Sequence, residues 1–216
     1  MSITKSMDRF YRLARPVVLL MVTLSPLAAQ NVEFTPYVGF QLNGGMDLTN
    51  VLYHRIEVQN GVNYGLNLGY LLGDHAGVEF MWNHNQAGTL AQPNFGGTSV
   101  KIFNLKTNQY MGDFLFHFAN RETATRPFVM FGLGATSLSP DTNVSGATKF
   151  AFAFGAGIKH NFTPRFGARL QAKWSPTYIT TTNAGIWCDP LFGCWHLGSD
   201  HYLNEFDITA GLTVRF

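Results

Sequence analysis

An all-β chain is predicted, closing as an eight-stranded antiparallel up-and-down transmembrane β-barrel behind a cleaved signal peptide. Three observations carry that prediction. Eight segments alternate apolar and polar residues with period two, the polar side of those segments is built mostly from Gly, Asn, Gln, Thr and Ala, and the connections between them run alternately long and short. Composition agrees: 216 residues are 46% hydrophobic and 14% aromatic but only 13% charged, roughly half the charge of a soluble domain. No apolar run in the body reaches the ~18 residues of a helical span. The length suits one domain with a full core.

Residues 1–29 read as the signal peptide. Lys5, Arg9, Arg12 and Arg15 precede an apolar stretch from Val17 to Leu24, a Ser25-Pro26 break and the small pair Ala28-Ala29, the layout of a secretory leader and too short for a membrane anchor. Cleavage is expected after Ala29, leaving a barrel domain over residues 30–216. The leader also explains the net charge: 15 basic minus 13 acidic residues gives +2, and removing four basic residues and Asp8 leaves 11 against 12. A near-neutral body excludes nucleic acid as a partner.

The strands follow in order. From Phe34 to Asn43 every even residue is apolar or Pro and every odd one is Thr, Tyr, Gly, Gln or Asn. The second segment sorts Val58, Val62, Tyr64, Leu66, Leu68 and Tyr70 to one face, with Asn60 as exception, and the third sorts Ala76, Val78, Phe80 and Trp82. The fourth places Tyr110, Phe114, Phe116 and Phe118 opposite Met111, Asp113, Leu115 and His117, but its upstream apolar residues Phe103 and Leu105 have the other parity. A bulge near 106–109, or a rim standing above the membrane, accounts for that flip. Pro127 to Ala135, Phe150 to Lys159, Gly167 to Ser175 and Glu205 to Phe216 complete the eight.

The orientation of the two faces follows from charge. A soluble barrel turns its polar face to water and fills it with Lys, Glu and Ser; here that face is small, amide-rich and sparsely charged, as a narrow lumen requires. Its charges are Glu79, Asp113, Glu205 and Asp207 against Lys159, Arg169, Lys173 and Arg215, four of each sign. Pointed at lipid, each Lys or Arg near the midplane would cost about 2–4 kcal/mol, so we assign all eight to a lumen ion network. Tyr70, Trp82, Tyr110, Phe118, Trp174 and Tyr178 fit interfacial girdles, and Pro36, Pro127 and Pro176 are read as strand ends. Links near 44–57, 86–100, 136–149 and 179–201 are long and those near 71–75, 119–126 and 161–165 short, which places both termini and the short turns in the periplasm and requires the first and last strands to pair.

These residues resemble the small eight-stranded outer-membrane barrels of Gram-negative-type bacteria, the group containing the transmembrane domain of outer membrane protein A and the opacity-type adhesins. The likeness spans about Phe34 to Phe216 and rests on Pro36-Tyr37-Val38-Gly39, Arg126-Pro127-Phe128 through Gly132-Leu133-Gly134, Phe152 through Gly155-Ala156-Gly157, and the ending Gly211-Leu212-Thr213-Val214-Arg215-Phe216. Within that ending, Ala210, Leu212, Val214 and Phe216 look like the carboxy-terminal assembly signal. The resemblance thus implies barrel-assembly machinery and periplasmic chaperones as partners, outer-membrane lipid as surroundings and a porin-like monomer in the cell outer membrane.

The last long link is the richest in unusual residues. Export makes a Cys188–Cys194 disulfide available, whereas C-x5-C without a second pair is poor for zinc, so no metal or cofactor is expected. Trp187 and Trp195 are loop-binding candidates for an unknown extracellular ligand, or equally a cover for the barrel mouth. No catalytic residue is recognisable. The expected role is structural or adhesin-like through surface-exposed loops, with a lipid-modifying enzyme or narrow channel as the alternative.

Overall fold

The computed structural model describes residues 31–47, 53–94, 96–141, 146–179, 187–189, 193–195 and 201–216; the expected signal peptide lies outside them. The strands are β1 (Val32–Asn43), β2 (Gly45–Asp47), β3 (Tyr53–Val58), β4 (Gly61–Leu71), β5 (Ala76–Pro93), β6 (Val100–His117), β7 (Thr125–Pro140), β8 (Ala147–Asn161), β9 (Phe166–Ile179), β10 (Trp187–Asp189), β11 (Gly193–Trp195) and β12 (His201–Arg215).

Eight of these make the wall, in the order β4-β1-β12-β9-β8-β7-β6-β5 and back to β4, each pairing antiparallel. First and last strands do pair, from Glu33 opposite Arg215 to Asn43 opposite Glu205. Closure leaves no edge of unpaired backbone, the condition for crossing hydrocarbon. β2 and β3 carry the wall upward beyond β1 and β4: Gly44 N donates to Asn204 O at 2.8 Å, and β3 pairs with β5.

Over the half of the barrel nearest the termini the apolar face points outward. Leu212 is 66% exposed, Leu170 58% and Phe154 47%, while Lys159 and Arg169 are 2% and 4% exposed. Toward the long-loop end the pattern inverts. Ile56, Val58, Ala87, Ala91, Leu105, Leu138, Ile179 and Leu203 pack together as a buried inward cluster, while Lys101, Asn104, Lys106, Ser137 and Ser139 lie on the other side of the wall. The 18 residues of β5 and of β6 exceed the roughly 9–11 that cross a bilayer, so the upper wall stands in water. There the hydrophobic effect favours apolar residues inside, as in a soluble barrel.

This inversion corrects several expectations. Leu105 shares the inward parity of Met111 and Asp113, and the β6–β7 register runs unbroken from Leu105 to His117, so there is no bulge at 106–109. The flip is one of solvent, the rim alternative, and the register shift in β6 comes at Ile102, opposite the Thr89–Leu90 step. Val58 is not on the face of Val62: it is 5% exposed, because the chain changes register between β3 and β4 around Gln59-Asn60. The long links shrink accordingly, since β5, β7 and β8 reach Pro93, Pro140 and Ala147.

Two prolines also sit inside strands rather than at their ends. At Pro36 the β1–β12 ladder lapses over Thr35-Pro36, and Thr35 Oγ1 bonds Thr213 Oγ1 across the gap at 2.8 Å. At Pro176 the β8–β9 ladder lapses between the Ala151–Thr177 and Phe154–Trp174 pairs. A barrel strand has two neighbours, and the missing N–H costs bonds to one only. Pro127 does lie at a strand start.

Candidate functional site

The lumen is the most densely built polar region, and strand parity alone points its side chains at the axis. At the end bearing the termini, Glu33 accepts from Lys159 Nζ at 2.5 Å and from Arg215 Nη2 at 2.6 Å. Arg126 reaches over the mouth, donating Nη2 to the Asp74 carbonyl at 2.6 Å. Above this layer Phe128 forms a floor, with the Arg169 guanidinium 4.7 Å over its ring and the His117 ring 5.8 Å away.

In the middle, Arg169 Nη1 meets Glu79 Oε2 at 2.5 Å and its Nη2 donates to Gln171. Asp113 stands opposite Glu79 in the β5–β6 register, its carboxylate buried without a hydrogen-bond donor in the structure. Space for these groups comes from glycine: a Cβ on Gly132 would lie 1.8 Å from Asp113 Oδ1, and one on Gly157 2.6 Å from the Phe128 ring. Higher still, Lys173 Nζ pairs with Asp207 at 3.1 Å and donates to Gln109 Oε1 at 2.8 Å. Gln109 passes the contact on to Glu205 at 2.5 Å, Gln41 donates to the other Glu205 oxygen at 2.8 Å, and Asn63 donates to Asp207 at 2.6 Å. The apolar cluster of Ile56, Leu105, Leu138, Ile179 and Leu203 caps this polar column.

The structure therefore places Glu79, Asp113, Lys159, Arg169, Lys173, Glu205, Asp207 and Arg215 inside one barrel, seven of them fully buried and Arg215 at its mouth. They form three local groups rather than one continuous chain. Sequence reading missed Glu33 and Arg126, which make the lumen charges five and five with Asp113, Glu79, Glu205 and Asp207 against Lys159, Arg169, Lys173 and Arg215. Both follow the inward parity of their strands, one step outside the boundaries Phe34 and Pro127, so a longer strand would have found them. The amides Gln41, Asn63 and Gln109, which link the ions, carry no charge signal.

Ala210, Leu212 and Phe216 lie on the outward side at the end of the chain, Leu212 and Phe216 strongly exposed, and Phe216 N donates to Val32 O at 3.0 Å, holding the terminus to β1. Val214 continues that face with only partial exposure. β10 and β11 form a separate ribbon in which Trp187 pairs with Trp195 and Cys188 with Cys194. The side chains of these four residues, and most of the surrounding loop, lie outside the described residues.

Barrel closure, outward apolar band and charged lumen together specify an outer-membrane protein, and the family comparison decides it. The outer membrane protein beta-barrel domain matches residues 17–216. The chain belongs to this outer-membrane β-barrel family. Among solved structures, the outer membrane protein OprG from Pseudomonas aeruginosa is 12% identical with a TM-score of 0.61, covering 88% of this chain and 99% of that one. Neisserial surface protein A, NspA, is also 12% identical, with a TM-score of 0.52 over 86% of this chain and 96% of its own. At that identity the likeness is one of fold. No curated protein sequence matches the chain. Membership places the barrel in the outer membrane.

Proposed function

We propose that this barrel serves a structural or surface-interaction role, adhesin-like, through its extracellular loops, rather than as a channel or an enzyme. One observation carries the reading: the axis is filled from end to end. Ion pairs of 2.5–3.1 Å occupy the lower and middle lumen, and an apolar cluster with side chains from six strands closes the top. Ions crossing that cluster would shed their water without gaining a polar partner.

An enzymatic reading finds less support. Among the described residues, His160 Nδ1 lies 2.8 Å from Thr125 Oγ1 at the terminal end, and His84 Nδ1 lies 2.8 Å from Asn108 Oδ1 on the outer wall. Neither pair has a carboxylate to orient the imidazole as a general base would need. The β10–β11 ribbon pairs Cys188 with Cys194 in register, which suits a disulfide that stiffens a presented tip by about 2 kcal/mol on the chain-entropy model.

The test is adherence of bacteria expressing the full chain, compared with a chain lacking residues 186–196, to cultured cells. Barrel assembly is followed by heat-dependent migration on gels. The reading expects adherence to fall with assembly unchanged. Equal adherence refutes the loop, unit conductance steps in planar bilayers favour the channel, and altered lipid A mass in expressing cells favours the enzyme.

A further inference from the structure

We propose that the outward face of β5, β6 and β7 seats one phosphorylated glycolipid of the outer leaflet, with its phosphate on Lys106 and an acyl chain in a groove over Gly112. The inference rests on this face meeting the membrane. It is independent of what the loops bind.

The register lays out the face as rungs. From top to bottom these are Gln86–Lys106–Ser139, His84–Asn108–Ser137, Trp82–Tyr110–Ala135 and Phe80–Gly112–Leu133. The two upper rungs are polar, the third is aromatic and the fourth apolar, so the boundary between headgroups and hydrocarbon runs between Asn108 and Tyr110. His84 Nδ1 donates to Asn108 Oδ1 at 2.8 Å. That bond holds the Asn108 side chain by its oxygen and leaves its NH₂ group to donate outward, two positions below Lys106 on the same strand and face.

Beside this polar patch stands an aromatic wall. Tyr64 lies 5.1 Å from the His84 ring and 6.0 Å from Trp82, centroid to centroid. Flat rings with one apolar and one wet edge suit the ring of a sugar next to its phosphate. The net charge has the right sign. From Val78 to Gln92 on β5 and from Lys101 to Phe116 on β6, the outward positions hold Lys101 and Lys106 and no carboxylate, since Glu79 and Asp113 both point inward. On the rung above Lys106, just past β7, the Asp141 carboxylate is held by the Asn104 side-chain amide and backbone N–H at 2.7 and 2.9 Å, so two lysines face one acid.

The second observation lies below on the same strands. Gly112 is an outward position with no side chain, flanked across the rungs by Phe80 and Leu133. With Leu68, Tyr70, Val78 and Phe114 it borders an apolar groove of about 590 Å³. A Cβ built on Gly112 meets only the Leu133 carbonyl, at 3.8 Å, so the glycine opens space rather than accommodating a neighbour. Four residues separate Asn108 from Gly112, about 13 Å along a strand, the reach of an acyl chain descending past Trp82 and Tyr110.

The folded full chain in detergent micelles, titrated with bis-phosphorylated lipid A and read by native mass spectrometry, tests the proposal. One lipid per barrel is expected, with Lys106→Gln weakening it about tenfold, Lys106→Arg retaining it, and Gly112→Leu weakening lipid A by filling the groove. Heat-dependent gel migration checks that each variant is folded. The proposal is overturned if lipid A stripped of its phosphates binds equally, if Lys106→Gln matches the parent, or if phosphatidylglycerol competes as well as the glycolipid. Deleting residues 186–196 should leave this binding unchanged, so failure of the loop reading and failure of this one are separable.

Discussion

Replacing Arg169 with alanine strikes the middle of the lumen. The side chain pairs with Glu79 at 2.5 Å, bonds Gln171 and lies 4.7 Å over the Phe128 ring. Its removal leaves the Glu79 carboxylate buried beside Asp113, which already lacks a donor, at a site only 2–3% exposed to bulk solvent. Breaking one side of a buried pair costs about 3–5 kcal/mol. With a urea dependence of about 2 kcal/mol per molar, the unfolding midpoint in lipid vesicles should fall by about 2 M. Tryptophan fluorescence and heat-dependent gel migration both report the transition. Removing the charges together, Arg169→Met with Glu79→Leu, should recover most of the loss, because the penalty lies in the orphaned ion rather than in the missing attraction. An Arg169→Ala barrel within about 1 kcal/mol of the parent would refute the network as a stabilising element.

The apolar cap gives a second outcome: Leu138→Ala, at a fully buried position, should cost about 2–5 kcal/mol in the same urea experiment, and a loss under about 1 kcal/mol would mean the rim does not pack as a core. Glu33→Gln leaves Lys159 without its counter-charge at the terminal mouth; slower unfolding than the parent would contradict its role as the anchor of that layer. Outside the membrane, the Asn104 side-chain amide and backbone N–H hold the Asp141 carboxyl below the usual carboxylate range. A depressed folded pKa means the contact between β6 and the start of the β7–β8 link is present above the ordinary carboxylate range and is lost as pH falls through the lowered value. The Asn104 amide resonance should therefore move only at a pH below that range, and Asp141→Asn should abolish the movement.

How much of this was legible beforehand depends on the residue. Leu212, Phe154 and Arg169 could be assigned to their faces from parity because a β-strand alternates strictly, and because a charge in hydrocarbon is costly enough to settle which face is out. Leu105 and Val58 defeated the same rule. Parity says which residues share a side but not which solvent that side meets, and at the rim the solvent changes while the alternation continues. Glu33 and Arg126 were lost to strand boundaries, the least certain feature of any periodic pattern. Pro36 and Pro176 look like strand ends under the rule that keeps proline out of the central strands of an open sheet; in a closed wall the loss falls on one ladder.

From the amino-acid order alone came the all-β class, the count of eight wall strands, the pairing of first with last, and the side of the wall on which most charges lie. All of these are local consequences of period-two patterning and of desolvation energy. The partners were decided only by the closed tertiary structure: Lys159 with Glu33 across 126 positions, Asn63 with Asp207 across 144, and the rungs that bring His84, Asn108 and Lys106 into one patch. Register between strands distant in sequence depends on shear and closure of the whole sheet, and no single strand carries that information.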